Sequence, residues 1–186
     1  ESIMFSPFEL ASHKDLRSYI LDNTYDPWEG TPFEGYVFLG SKKQGAYGER
    51  FIAHALVNTY TLEVQKPLNT GHDRLVNDIK SEFKFTLASR DCVKQIINVD
   101  GFSINHVALK KDWERLVICA INPSDNQSHL VYITKEDFIS EMQLSEPVFK
   151  SQQGGDSSNN DDFFIKSISG CREFFDRRYI KPITLW

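Results

Sequence analysis

Asn77-Asp78 limits the folding of this chain more than any other feature. Asn and Asp tolerate positive φ better than any residue but glycine, and here the pair stands between two apolar-rich segments, the pattern of a two-residue hairpin turn. Such a turn fixes register. Residues whose numbers sum to 155 then face each other, which pairs Val76 with Ile79, Leu75 with Lys80, Arg74 with Ser81 and Asp73 with Glu82.

The second arm of the hairpin, residues 79–87, alternates. Lys80, Glu82, Lys84 and Thr86 share one face, and Ile79, Ser81, Phe83, Phe85 and Leu87 share the other. A further strand is expected at 61–65. The apolar run from Leu116 to Ile121 reads as a strand buried between two layers, with another strand at 129–133. Tyr47, Phe51 and Ala55 recur every four residues beside Ile52 and Leu56, which predicts an amphipathic helix over 44–60. Thr134 followed by Lys135-Glu136-Asp137 reads as the N-cap of a helix. Residues 89–98 read as a short helix and 36–39 as a short strand.

Outside this core, residues 1–43 read as an N-terminal helix, opened by the capping box Ser6-Pro7-Phe8-Glu9, followed by an irregular arm rich in Pro, Gly and aromatics. Residues 44–142 form the core proper. The polar, low-complexity stretch 151–162 reads as a mobile loop, and 163–186 as a C-terminal basic helix and tail. The expected class is therefore α/β, a single domain of 186 residues with a mixed central sheet flanked by helices in the order helix, three strands, helix, strand.

Composition narrows the function classes. A net charge of −5 excludes a protein that coats nucleic acid nonspecifically, although a local basic groove is compatible with it. The longest apolar run is far short of a membrane-spanning helix, so no membrane partner is expected. Three cysteines without a C-x-x-C pair suit a reducing, cytoplasmic compartment, and no leader peptide is evident. Cys119, inside the apolar run, reads as a buried, inert thiol. Gly40-Ser-Lys-Lys-Gln-Gly45 lacks the Lys and Ser/Thr of a nucleotide-binding loop, and His54 and His72 join no cysteine pair that would hold zinc.

The chemistry is concentrated in the hairpin. Its register brings Asp73 and Glu82 face to face. Like charges so placed destabilise a sheet, but two carboxylates at that separation can share a hard cation such as Mg²⁺, with Lys84 on the same face. Asp78-Ile79-Lys80 is a rival acid-x-lysine triplet, too close to Asp73 for two adjacent strands.

Asp73 followed nine residues later by Glu82-Phe83-Lys84 resembles the PD-(D/E)XK signature of metal-dependent nucleases, in particular type II restriction endonucleases, with His72 where the signature has proline. The resemblance extends over residues 44–142 and implies an α-β-β-β-α-β restriction-endonuclease-like core. It implies that Asp73, Glu82 and the main-chain carbonyl of Phe83 bind Mg²⁺, that Lys84 orients and helps deprotonate the attacking water, and that Glu49 adds an outer carboxylate. Residues 101–106 resemble the base-reading segment of small blunt-cutting restriction enzymes, which assigns Ser103, Asn105 and His106 to DNA, joined by Lys42 and Lys43 as phosphate contacts. The implied activity is site-specific hydrolysis of double-stranded DNA by a homodimer, with a cognate DNA methyltransferase in the same system. The N-terminal 25 residues or the C-terminal helix are the candidate dimer interfaces. Alternatives are a structure-specific or repair nuclease of the same superfamily, a catalytically inactive DNA-binding module of this fold, and an unrelated α/β partner protein.

Overall fold

A computed structural model describes residue 6 and residues 25–88, 90–91, 96–97, 102–124, 126–144, 150–151, 162–167 and 179–186. The turn at Asn77-Asp78 forms as its residue types dictate: both lie in the left-handed region, at φ 47° and 65°, the combination that matches the twist of a two-residue hairpin. It joins β2 (Arg74–Val76) to β3 (Ile79–Leu87) with Val76 opposite Ile79, Leu75 opposite Lys80 and Arg74 opposite Ser81. The Asn77 side chain accepts a hydrogen bond from Glu63 N–H at 2.9 Å, and Asn77 N–H donates to Glu63 O, which ties β1 (Val64–Gln65) to the outer edge.

β3 pairs on its other side with β7 (Arg115–Asn122), in parallel, and β7 pairs antiparallel with β8 (Gln127–Thr134). With β11 (Lys181–Pro182) the six strands run in the order β1-β2-β3-β7-β8-β11, a mixed sheet. The run from Leu116 to Ile121 is buried at every position, as a strand covered on both faces must be. Cys119 within it is buried, and burial pushes its thiol up to about 12, which removes it from nucleophilic chemistry.

Helix α1 (Ser41–Asn58) lays Ile52 and Leu56 onto the sheet. Phe51 and Tyr47 of α1 meet Phe85 of β3 at ring centroid distances of 5.1 and 5.7 Å, and Tyr36 closes the same cluster. Gly48 is what allows this approach: a Cβ built there would fall 2.9 Å from Phe85 Cγ and closer still to its Cβ. Gly48→Ala is therefore expected to destabilise the protein by about 1–3 kcal/mol despite the better helix propensity of alanine, read as a lower urea midpoint with the slope unchanged. Helix α2 (Lys135–Met142) begins where expected, with Thr134 Oγ1 accepting from Asp137 N–H at 3.2 Å. It buries Phe138 edge-on to Trp113.

Several expectations are corrected. The connection from β3 to β7 shows strands where the reading of 89–98 had a helix: β4 (Arg90–Asp91) pairs with β5 (Ile96–Ile97). β6 (Phe102–Ala108) follows and belongs to a second sheet with β10 (Asp162–Ser167) and β9 (Lys150–Ser151). The expected order helix, three strands, helix, strand thus becomes helix, then strands to β8, then α2. β10 also replaces the start of the helix expected from residue 163, because its backbone is drawn into pairing with β6. Tyr36–Phe38 is a 3-10 turn rather than a strand, set off by Gly35 at φ 88°. α1 starts at Ser41, three residues before the expected start at residue 44, and β1 covers only part of 61–65. The N-terminal helix, most of the loop expected over 151–162, and residues 168–178 of the C-terminal helix lie outside the described residues, and the proposed dimer interfaces fall mainly there. Among the described residues no helix is long and apolar enough to cross a membrane.

Candidate active site

The site arises where β2 stops. The β2–β3 ladder ends at Arg74 opposite Ser81, and Asp73 leaves it: its N–H donates to Ser81 O at 3.0 Å. The Asp73 carboxylate then turns onto the edge of β3, where Oδ2 accepts from Phe83 N–H at 2.7 Å. The expected ladder pair of Asp73 with Glu82 is thereby corrected, since the first carboxylate bonds the main chain beside Glu82 instead of standing opposite it. The two remain electrostatically coupled. Burial, and next the charge of Asp73, push the Glu82 carboxyl up to about 7. Lys84 and Lys111 oppose that rise, and Glu49 adds to it.

Glu82 is only 6% exposed, and Lys84 Nζ stands 3.8 Å from its Oε1. Alternation along β3 keeps the two on one face, as expected from the sequence. Main-chain direction alternates with it. Ser81 and Phe83 bond toward β2 and Asp73, whereas Lys80 and Ala88 bond Glu114 and Ile121 on the β7 side, so the N–H and C=O groups of Phe83 and Phe85 face the open edge. The Phe83 carbonyl thus lies on the same side as Asp73.

The other assigned residues divide. Glu49, on α1, reaches the site but is held by Arg74, whose Nε donates to Glu49 Oε1 at 2.8 Å, both side chains about one third exposed. His106 does not sit in a loop. It occupies an exposed position of β6 at φ 59°, where the register against β10 shifts. Two residues of β6 there oppose one of β10, a bulge that re-aims a side chain. Ser103 and Asn105 lie on β6, and their side chains are outside the description. Lys42 and Lys43 are exposed in the first turn of α1, inside the helix rather than before it. The rival triplet is dispersed: Asp78 is exposed in the turn, and Lys80 Nζ pairs with Asp112 at 2.9 Å.

The sequence reading gave no role in the site to Arg74 or Lys111, and noted His72 only in the signature's proline position and as lacking a zinc partner. Arg74 lies one residue from Asp73 and faces α1, so its pairing with Glu49 follows from tertiary packing alone. His72 is buried and accepts Leu68 N–H at Nε2, 3.1 Å away, a structural role at the position before Asp73. Lys111 belongs to the Lys110-Lys111 pair ahead of β7, a visible basic signal. Its turn is held by Lys135, whose Nζ donates to Lys111 O at 2.6 Å.

The donor set suits a hard cation: two acids plus a main-chain oxygen, all oxygen donors, with open edge beside them for water or phosphate. Among the described residues no group of three or more His, Cys, Asp and Glu side chains is placed to hold a metal. A cleft of about 410 Å³ opens next to Lys84, between α1, β3 and β6. Neither a protein-family model nor a curated protein matches this chain.

Proposed function

We propose that this chain is a Mg²⁺-dependent endonuclease of the PD-(D/E)XK type that hydrolyses DNA phosphodiester bonds at a specific site. One observation carries the reading: the buried Glu82, the edge-turned Asp73 and Lys84 lie together where the β2–β3 ladder ends among the described residues. Structural carboxylates are seldom buried with a second carboxylate at hand and a lysine 3.8 Å away, because the arrangement costs stability unless a cation or a substrate uses it.

In this reading Asp73, Glu82 and the Phe83 carbonyl would hold the cation, which when bound would supply positive charge to stabilise the transition state and the departing 3′ oxygen. Asp73 is oriented by Phe83 N–H. Lys84, beside Glu82, orients the attacking water and takes part in its deprotonation, as general base or through its charge. Glu49, clamped by Arg74, contributes negative charge from outside the shell. Ser103, Asn105 and His106 of β6, with Lys42 and Lys43, contact the duplex. The active species is a cytoplasmic homodimer acting beside a cognate methyltransferase, since a two-fold site is read by a two-fold protein.

The test uses the purified protein and a mapped plasmid. Nicked and linear products are expected with Mg²⁺, none with EDTA, and binding without cutting in Ca²⁺. Sequencing of the ends should return one short, two-fold symmetric motif. Equal, absent cutting in Mg²⁺, Mn²⁺ and EDTA would leave only the inactive DNA-binding module or the unrelated partner protein. Mg²⁺-dependent ends without a common motif would favour the structure-specific nuclease.

A further inference from the structure

The cleft beside Lys84 begins at Glu49, Phe83, Lys84 and His106, which have roles above, and extends past them to Tyr36, Gln44, Phe85 and Ile104, which have none. It holds about 410 Å³, within the range of small-ligand pockets. Its position follows from β2 being short: beyond Ser81, β3 has no antiparallel neighbour among the described residues, and the gap is walled by α1 and β6 instead. Its lining is mixed. Tyr36, Phe85 and Ile104 give flat or apolar surface, while Ser41, Gln44 and His106 give polar groups.

The open edge adds directional chemistry. Phe85 turns both its N–H and its C=O into this side of the sheet, while the next such carbonyl, that of Leu87, accepts from Thr86 Oγ1 at 3.2 Å. One donor and one acceptor a few ångströms apart match the hydrogen-bonding edge of a nucleobase, which presents the same pair in reverse. Gln44 Nε2 donates to Tyr36 O at 3.2 Å and fixes the Tyr36 wall to α1. At the mouth stands Gly45, where an added Cβ would meet nothing within 4 Å.

The geometry points to this cleft as the seat of one unstacked nucleobase of the substrate strand, its edge against the Phe85 main chain and its faces against Tyr36 and His106, with its phosphate toward Lys84. A base inside a duplex cannot enter, so the nucleotide must leave the stack, at a cost that is smallest where it is already unpaired. The inference rests on the nuclease reading for the phosphate beside Lys84. Tyr36, Phe85 and His106, which would seat the base, take no part in holding the cation.

Affinity measurements in EDTA, where no cutting occurs, test it. The probes are six matched duplexes: one fully paired, four with a single-nucleotide bulge, one for each base, and one with an abasic bulge. At least one base bulge is expected to bind about tenfold or more tighter than the paired duplex, with the abasic bulge losing that gain, as stacking energies suggest. Gly45→Leu fills the mouth, favours the helix and leaves the core untouched. It is expected to abolish the base-dependent gain while paired-duplex affinity holds and the thermal midpoint does not fall. Absent DNA binding, equal affinity for base and abasic bulges, or an unchanged preference in Gly45→Leu overturns the cleft. Failure of the nuclease reading is seen separately, as absent cutting in Mg²⁺ with the bulge preference intact.

Discussion

Lys84→Met is expected to lower Mg²⁺-dependent DNA cleavage by about 10³-fold or more while Ca²⁺-supported DNA binding stays within a factor of a few. Lys84 is the only cation with an ion pair to Glu82 among the described residues, at 3.8 Å, and its side chain is 21% exposed, enough to meet a substrate phosphate. Methionine keeps the apolar stem and removes the charge, so the strand should hold its place. Lys84→Arg separates two roles. Arginine restores positive charge but does not shed its proton, so recovery of most of the activity would assign Lys84 to orientation, and continued loss would assign it to proton transfer. Asp73→Asn is the companion variant. Asparagine still accepts the 2.7 Å hydrogen bond from Phe83 N–H through its side-chain oxygen, so the loop after His72 should stay in place while the anionic donor is lost. A similar loss of cleavage is expected, measured as initial rates on supercoiled plasmid. Activity within tenfold of the wild type in both Lys84→Met and Asp73→Asn would remove the site from the chemistry.

How far the sequence announced this arrangement depends on how local each signal is. Asn77-Asp78 announced its own conformation, because few residue pairs tolerate two consecutive positive φ values, and the register through Arg74 opposite Ser81 followed. The buried run at Leu116 and the cap at Thr134 are equally local. The hairpin register did not carry to Asp73, since Phe83 N–H, left without a strand partner, is satisfied by the Asp73 side chain and draws it out of the ladder. Phe163-Phe164-Ile165 is a short apolar run that suits helix and strand alike, and its pairing with β6, more than fifty residues away, decides for strand. His106 in the left-handed region and the clamp of Arg74 on Glu49 are likewise products of packing between distant segments. The shared face of Glu82 and Lys84 was thus legible, and the cleft beside it was not, because the cleft lies where β3 has no antiparallel neighbour among the described residues.

Glu82→Gln is expected to stabilise the metal-free protein at alkaline pH and to do little in acid. The Glu82 carboxyl is pushed from 4.5 up to about 7, chiefly by burial and next by Asp73. In the unfolded chain it titrates at its ordinary value, so between those two limits the folded state holds a proton that the unfolded state has lost. Stability from this group is complete below about pH 4.5 and is lost as pH rises to 7, a difference on the order of 3 kcal/mol once both states are ionised. Glutamine does not titrate and has nearly the same shape. The difference in unfolding free energy between variant and wild type, followed by urea titration, should therefore grow from near zero at pH 4.5 to about 2–3 kcal/mol at pH 8. A flat difference across that range would mean that Glu82 titrates in the fold as it does in the unfolded chain. Divalent cation reverses the ranking if the nuclease reading holds, because its binding requires the ionised carboxylate. At pH 8, millimolar Mg²⁺ should raise the wild-type midpoint and leave Glu82→Gln unmoved, and at pH 5.5 it should raise neither. The instability that Glu82 brings to the metal-free fold is thus the same free energy that makes its carboxylate available to a cation, and the two measurements, taken on one pair of proteins, read it from both sides.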